Sequence, residues 1–302
     1  MSAFFINEAG EIIELQGDGE TRPNLLTSTI IRNSPTMIAD PLPVRDALLE
    51  IARDNITGQS SENKFGRNIE IDSSVTADIW DGGHTVASGG TSLIWLAPTA
   101  ARIHTIASTD AADDTGSTGA NSVIINYLPD WDTAEATETV TGDLNAGIAM
   151  NNAAVMINRM EVILQSTSTI INAGDITATA ATDSTVTARI RVGQGQTQMA
   201  IYGVPSVQTL KMGRFYANVN KAGGAAGLLD ITLLANTAPD INTIPFITKH
   251  TFGLQTVGTS AFTIPYYGPK KIDGPCIVKV QALSNTNDMD VSAGFDFVVI
   301  DN

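Results

Sequence analysis

The 302-residue chain has one cysteine, Cys276, which excludes an intrachain disulfide. That usage suits folding in a reducing compartment. Charge is scarce as well. Asp, Glu, Lys and Arg make up 16% of the residues, against about 25% in an ordinary soluble domain. Basic residues are the scarcer sign, 17 against 32 acids, and the one adjacent pair is Lys270-Lys271. Nucleic-acid binding draws its affinity from neutralised phosphates, so this balance excludes it. Histidine is rare too: His84, His104 and His250 show no His-x-x-x-His spacing, and with one cysteine no zinc set forms. No apolar run reaches the roughly 18 residues a membrane-crossing helix needs. The opening "MSAFFINEAGEIIEL" lacks the basic start and long apolar stretch of a signal peptide. These absences predict a protein made in a cytoplasm and not exported by the usual route, with no membrane partner.

Small and hydroxylated residues fill the space left by charge. Such a surface is easily buried against neighbouring chains, because few charges need desolvating. The acidity is uneven. Residues 1–70 carry 11 acids and 6 bases, residues 71–210 carry 14 and 4, and residues 211–302 carry 7 of each. The middle of the chain would therefore face solvent, since its excess charge repels when copies are packed together.

Residues 1–66 read as an anchoring arm. Phe4–Ile6 and Ile12–Leu15 predict a short hairpin. The stretch that follows holds Pro23, Pro35, Pro41 and Pro43 and has no sustained period. One helix is then predicted. Asp40 can cap it, the two later prolines suit its first turn, and Val44, Ala47, Leu48, Ile51 and Ala52 form one apolar stripe. A helix of about three turns is marginal alone in water, so the stripe must dock. The candidate anchoring residues are Val44, Leu48, Ile51 and Ala52, followed by Leu25, Leu26, Ile30 and Ile31 in the arm. An arm that orders on binding can wrap a partner.

From about Ile69 the texture is β. "TSLIWLA", "ARIHTIA", "SVIINYL", "ATETVT", "INRMEVIL", "DITATAA" and "TVTARIRV" are short, rich in Val, Ile and Thr, and parted by Gly, Asp and Asn. A second set runs from "QMAIYGV" through "TLKMGRFYANV", "LLDITLLAN", "FITKHTFGLQ", "AFTIPYY" and "PCIVKVQAL" to "GFDFVVI". Strands at this spacing without helices between them predict an all-β fold of two antiparallel β-sandwich, jelly-roll-like domains. The expected boundaries are 1–66 for the arm with its helix, 67–195 for the first sandwich and 196–302 for the second.

The candidate chemistry is thin. "STDAADDTGSTGANS" places Asp110, Asp113 and Asp114 within five residues. The spacing does not match an EF-hand and no Glu closes the loop. The expectation is an exposed turn, with Gly116 and Gly119 letting the backbone reverse, and a loose calcium site as the alternative. Asp130/Asp132 and Asp288/Asp290 are acid pairs of the kind glycosidases use, but loops of an acidic protein also produce them. Trp80 and Trp131, beside acids, could bind sugar at a tip or anchor a core. His104 is expected at a surface or interface, and Cys276 as a buried small hydrophobe. Gly193-Gln-Gly195 lacks the third glycine and the Lys of a phosphate loop. No catalytic, metal or cofactor-binding residue is assigned.

Several stretches taken together carry a resemblance: "KFGRNIEIDSSVTADIWDGG" (64–83), "DDTGSTGANSVIINYL" (113–128), "TETVT" (137–141), "GQGQTQMAIYGVP" (193–205), "IPYYGPKKIDG" (264–274) and "VSAGFDFVVID" (291–301). The pattern, over roughly residues 44–302, resembles a family of virion structural proteins of tailed bacteriophages. The resemblance implies a non-enzymatic β-sandwich component located in the virion. It would attach through its arm to the major capsid protein or to tail or neck proteins, as a homo-oligomer, with a trimer implied. Capsid decoration, cement or head fibre is the first expectation. A tail or neck component, or a receptor- or carbohydrate-binding module, is the alternative.

Overall fold

The computed structural model describes residues 3–6, 12–15, 50–51, 56–81, 93–163, 171–221, 226–240, 244–257 and 260–302. The chain divides into two compact units, Met1–Arg53 and Asp54–Asn302. In the first, β1 (Ala3–Ile6) pairs antiparallel with β2 (Ile12–Leu15), Ala3 opposite Leu15 and Ile6 opposite Ile12. Of the expected helix only Glu50 and Ile51 are described, and both are helical. Ile51 is buried. Val44, Leu48 and Ala52 of its stripe, and Leu25, Leu26, Ile30 and Ile31 of the arm, lie outside the described residues, as does His84.

The second unit is all-β, and its strands pair antiparallel throughout. One sheet runs in the order β16 (Ala261–Asp273), β13 (Gln208–Lys221), β18 (Met289–Asp301), β3 (Gln59–Ile71). A second runs β12 (Ile201–Val204), β17 (Cys276–Ser284), β14 (Leu228–Asn236), β15 (Ile247–Gln255), and β4 (Thr76–Asp78) adds to β17. The two sheets share one core. Alternation explains which side of each strand enters it. On β18, Met289, Val291, Ala293, Phe295, Phe297 and Val299 are buried in turn. On β13 the phase would fail after Met212, but a register shift at Gly213 restores it, so Phe215, Ala217 and Val219 also turn inward.

Between these segments the chain builds a second pair of sheets. One has the order β11 (Val186–Ile190), β10 (Ile176–Ala180), β5 (His104–Ser108), β8 (Ile148–Ala149). The other has β7 (Ala136–Thr141), β6 (Ser122–Leu128), β9 (Met156–Val162). These sheets contribute to a separate core that includes Trp80, Trp95, Ile125, Met160 and Ile190. Residues 93–199 are thus an insertion into a carrier half made of 56–81 and 200–302. At the crossing points, neighbouring residues serve different cores. Ile79 and Ala200 enter the carrier core, while Trp80 and Met199 enter the inserted one. Ala200 N donates to Ile79 O at 2.8 Å, and Ile79 N to Val280 O at 2.9 Å. Gly66 of β3 lets these segments pass, because a Cβ there would lie 2.4 Å from Ile79 O.

Two sequence expectations change here. Residues 59–66, read as the end of the arm, are the first part of β3 and pair with β18 from Gln59 opposite Ile300 onward. The strand is polar because it is a sheet edge, and Asn63 and Arg67 are exposed. "TSLIWLA" (91–97) is not a strand over its described residues. Trp95 is instead pinned by its own bonds, its N to Asp78 Oδ2 at 2.7 Å and its Nε1 to Thr187 O at 2.7 Å.

Candidate interaction surface

The acid loop is not an exposed tip. Asp113 is fully buried. Its carboxylate accepts from Ser108 Oγ at 2.5 Å, Ala120 N at 2.7 Å, Ala173 N at 2.8 Å and Gly174 N at 2.9 Å. One side chain therefore satisfies backbone donors from two distant segments, which is what a buried loop needs. Gly119 packs so closely that a Cβ would lie 2.2 Å from Asp113 Oδ1, and the positive φ of the turn belongs to Gly116. Asp110 is exposed and caps the local turn through Ala112 N. Glu138 repeats the device on Asn151 and Asn152, accepting from both backbone and side-chain nitrogens at 2.5–3.2 Å. Sequence reasoning missed Glu138. Its only signal is a lone acid on the inward side of an alternating strand.

The other candidates also resolve. Asp130 accepts from Asp132 N and Thr133 Oγ1, and Asp132 accepts from Ser206 Oγ, so this acid pair builds a turn. Asp290 pairs with Arg67 at 3.0 Å. Among the described residues, no group of three His, Cys, Asp or Glu side chains is placed to hold a metal ion. Trp80 is buried and Trp131 packs half-buried against the inserted core, so Trp80 offers no sugar platform. His104, expected at a surface, is buried. Its Nδ1 donates to Arg102 O at 3.0 Å, and among the described residues Nε2 has no hydrogen-bond partner. Burial pushes its pKa down to about 4. Cys276 is buried as expected, and desolvation pushes its thiol up to about 12. Lys279 and Asp78 form a buried ion pair at 2.8 Å, with Lys279 Nζ 4.3 Å from the Phe246 ring centroid.

What faces outward is the opposite kind of chemistry. β15 and β16 are each at one edge of a carrier sheet. Leu254 is the one buried residue of β15, and Ile272 the one of β16. Phe252 and Phe262 meet at 5.4 Å between ring centroids, and His250 lies 6.1 Å from Tyr266. Phe215 reaches this cluster from the core, 5.1 Å from Phe252. The rings close the flank only in part, for Phe262 is 46% exposed and Ile247 52%. An open groove lined by Leu228, Phe252, Leu254 and Phe262 runs along the flank. Farther along, Lys249, Lys270 and Lys271 line a basic one.

β16 also bulges. Met212 pairs with Lys270 but Arg214 pairs with Pro265, so residues 266–269 loop out opposite Gly213. Tyr267 stands on that bulge and is 97% exposed. Pro265, Pro269 and the lysines are the features with which proteins blunt a free sheet edge. They oppose strand addition along β16. The signal was present in "IPYYGPKK", an aromatic pair set between prolines in a strand.

No family model and no curated protein matches the chain. Among solved structures, the chain shows likeness to particles of infectious bursal disease virus. A T=1 particle derived from the virus matches at TM-score 0.22 and 9% identity, over 81% of this chain and 70% of that one. The T13 viral particle matches at TM-score 0.23 and 8% identity, over 80% and 70%. The VP2 subviral particle matches at TM-score 0.21 and 9% identity, over 81% and 73%. A likeness this distant carries no argument about fold or function.

Proposed function

We propose that this protein is a non-enzymatic structural component of a tailed-phage virion, a capsid decoration, cement or head-fibre protein. The observation that carries the reading is the exposed aromatic flank of β15 and β16. A monomer gains nothing from exposing Tyr267, Phe262 and Ile247 on the same two edge strands, whereas exposed aromatics of this kind serve as anchors of protein interfaces. Charge agrees with where copies would meet. Residues 211–302 carry equal numbers of acids and bases, while residues 71–210 carry 14 acids and 4 bases and would repel their like. The carrier half and the inserted half are read as two β-sandwich, jelly-roll-like modules behind an N-terminal anchoring arm with a short helix. Copies associate through the carrier flank into a closed homo-oligomer, a trimer by the sequence resemblance. The arm attaches that oligomer to the major capsid protein.

Quantitative mass spectrometry of purified particles tests this. Copies in proportion to the coat protein support a place on the head lattice. A small fixed number per particle moves the protein to the neck or tail, with the arm as a ring-to-ring clasp. Absence from particles overturns the virion reading.

A further inference from the structure

A cluster at the junction of the two halves has no part in that surface. Lys64 of β3 is 3% exposed and lies opposite Phe295 in the ladder, so it sits on the inner face of its sheet. Its Nζ donates to the main-chain oxygen of Asn158 on β9. Asn158 is 1% exposed and its carboxamide is held on every polar side. Oδ1 accepts from Gly203 N at 2.8 Å, and Nδ2 donates to Gly203 O at 3.1 Å and to Glu135 Oε2 at 2.5 Å. A buried amine thus abuts the asparagine whose carboxamide is fixed and whose leaving nitrogen already touches a carboxylate. We propose that Lys64 and Asn158 join in an intramolecular isopeptide bond, with Glu135 moving the proton.

The step balances without a co-reactant. The Lys64 Nζ lone pair attacks Asn158 Cγ and forms the new C–N bond, while the C=O electron pair moves onto Oδ1. The Gly203 N–H already points at that oxygen and gains strength as charge develops there. Glu135 takes a proton from the attacking nitrogen and returns one to Nδ2. The Cγ–Nδ2 bond then breaks, and ammonia leaves with its electron pair. One amine and one primary amide become one secondary amide and ammonia, with no change of oxidation state. Burial makes the neutral amine available: desolvation first, then the Arg159 charge, pushes Lys64 from 10.5 down to about 7. The hydrogen bond to the Asn158 main chain keeps the amine on the same residue as the carbon it attacks, which raises their effective concentration. The bond would tie β3 of the carrier half to β9 of the insertion, 94 residues apart.

The Lys279–Asp78 pair is a contrast. Lys279 Nζ and Trp95 N both bond to Asp78 Oδ2. Among the described residues no second carboxylate is hydrogen-bonded to the pair, so it has no proton relay and stays an ion pair.

The test is the intact mass of the purified full chain after incubation in mildly alkaline buffer, with peptide mapping after digestion. It does not depend on the virion reading. The expected result is a mass below the sequence value by one ammonia, with a Lys64–Asn158 linked peptide pair. Lys64→Arg and Glu135→Ala should each keep their full sequence mass. A folded wild-type chain at full sequence mass overturns the proposal, and so does an ammonia loss that persists in Lys64→Arg. A water loss mapped to Lys279 and Asp78, with no Lys64–Asn158 link, overturns it as well. Because the wild-type mass decides the matter, a variant that fails to fold leaves the test intact.

Discussion

The loop of residues 108–122 and the strand of residues 261–273 have exchanged the places their compositions suggest. The first is rich in Asp, Gly and Ser, and its central carboxylate is fully buried. The second holds Phe262, Ile264, Tyr266 and Tyr267, and buries only Ile272. The difference shows two separate rules at work. A buried carboxylate is stable where it meets donors that would otherwise be stranded, and Asp113 meets four. An exposed aromatic edge is stable where its sheet is already paired on the other side, and β16 is paired along β13. The loop's polar groups are satisfied within the chain, while the strand's aromatic side chains are left exposed.

The sharpest way to break this comparison is Asp113→Ala. It strands the N–H groups of Ala120, Ala173 and Gly174 in the interior. Each such group costs about 1–3 kcal/mol, so a loss of roughly 4 kcal/mol is expected in urea unfolding. Asp110→Ala and Asp114→Ala should move the midpoint by less than about 0.5 kcal/mol. Equal effects at all three positions would erase the distinction between a lock and a turn.

The buried ion pair comes next. Lys279→Met leaves the Asp78 carboxylate without its cation, and a loss of roughly 3 kcal/mol follows. Lys279→Met with Asp78→Asn keeps an acceptor for Trp95 N and should recover most of it, as the same denaturation series would record.

A smaller effect is the pH dependence of His104. Its folded pKa of about 4 lies below the ordinary 6.5, so the unfolded chain takes up the proton first. Its contribution is whole above about 6.5 and is lost as pH falls toward 4, a change of at most about 3 kcal/mol. Asp81 runs the other way, since burial pushes its carboxyl up to about 7 and its contribution is lost as pH rises through that value. Measuring wild type against His104→Gln from pH 7 to 4 cancels the Asp81 part, and the gap between the two curves should shrink. The least effect on stability is expected at the flank itself. Tyr267→Ser with Ile247→Ser should change monomer stability by under about 0.5 kcal/mol, yet lower the oligomer mass seen by light scattering. A large stability loss with unchanged mass would make the flank part of the fold and not a contact surface.

Much of the β structure was legible in local pattern. The alternation from Met289 to Val299 is written in the residues, and so is the hairpin of β1 and β2. The polar strand β3 was less legible, because three of its buried positions are Lys64, Gly66 and Asn68, and Ile71 at its end is the one buried apolar residue, so it carries no hydrophobic period. The surface flank was half legible: "IPYYGPKK" marks an unusual edge, but nothing in it says which rings are covered. Asp113 and Glu138 were hidden, since an acid that collects backbone donors from elsewhere has the same neighbours in sequence as one in water.

By itself the sequence determined the all-β texture, the positions of most strands and the uneven charge, since side-chain direction and strand propensity are properties of neighbouring residues. Only the tertiary structure decided that residues 93–199 are inserted between two parts of one carrier, that Asp113 and His104 are buried, and that Lys64 meets Asn158. Those outcomes depend on which distant strands pair and which faces are then covered. That choice is made by closing long loops around a shared core, and no local window of residues contains it.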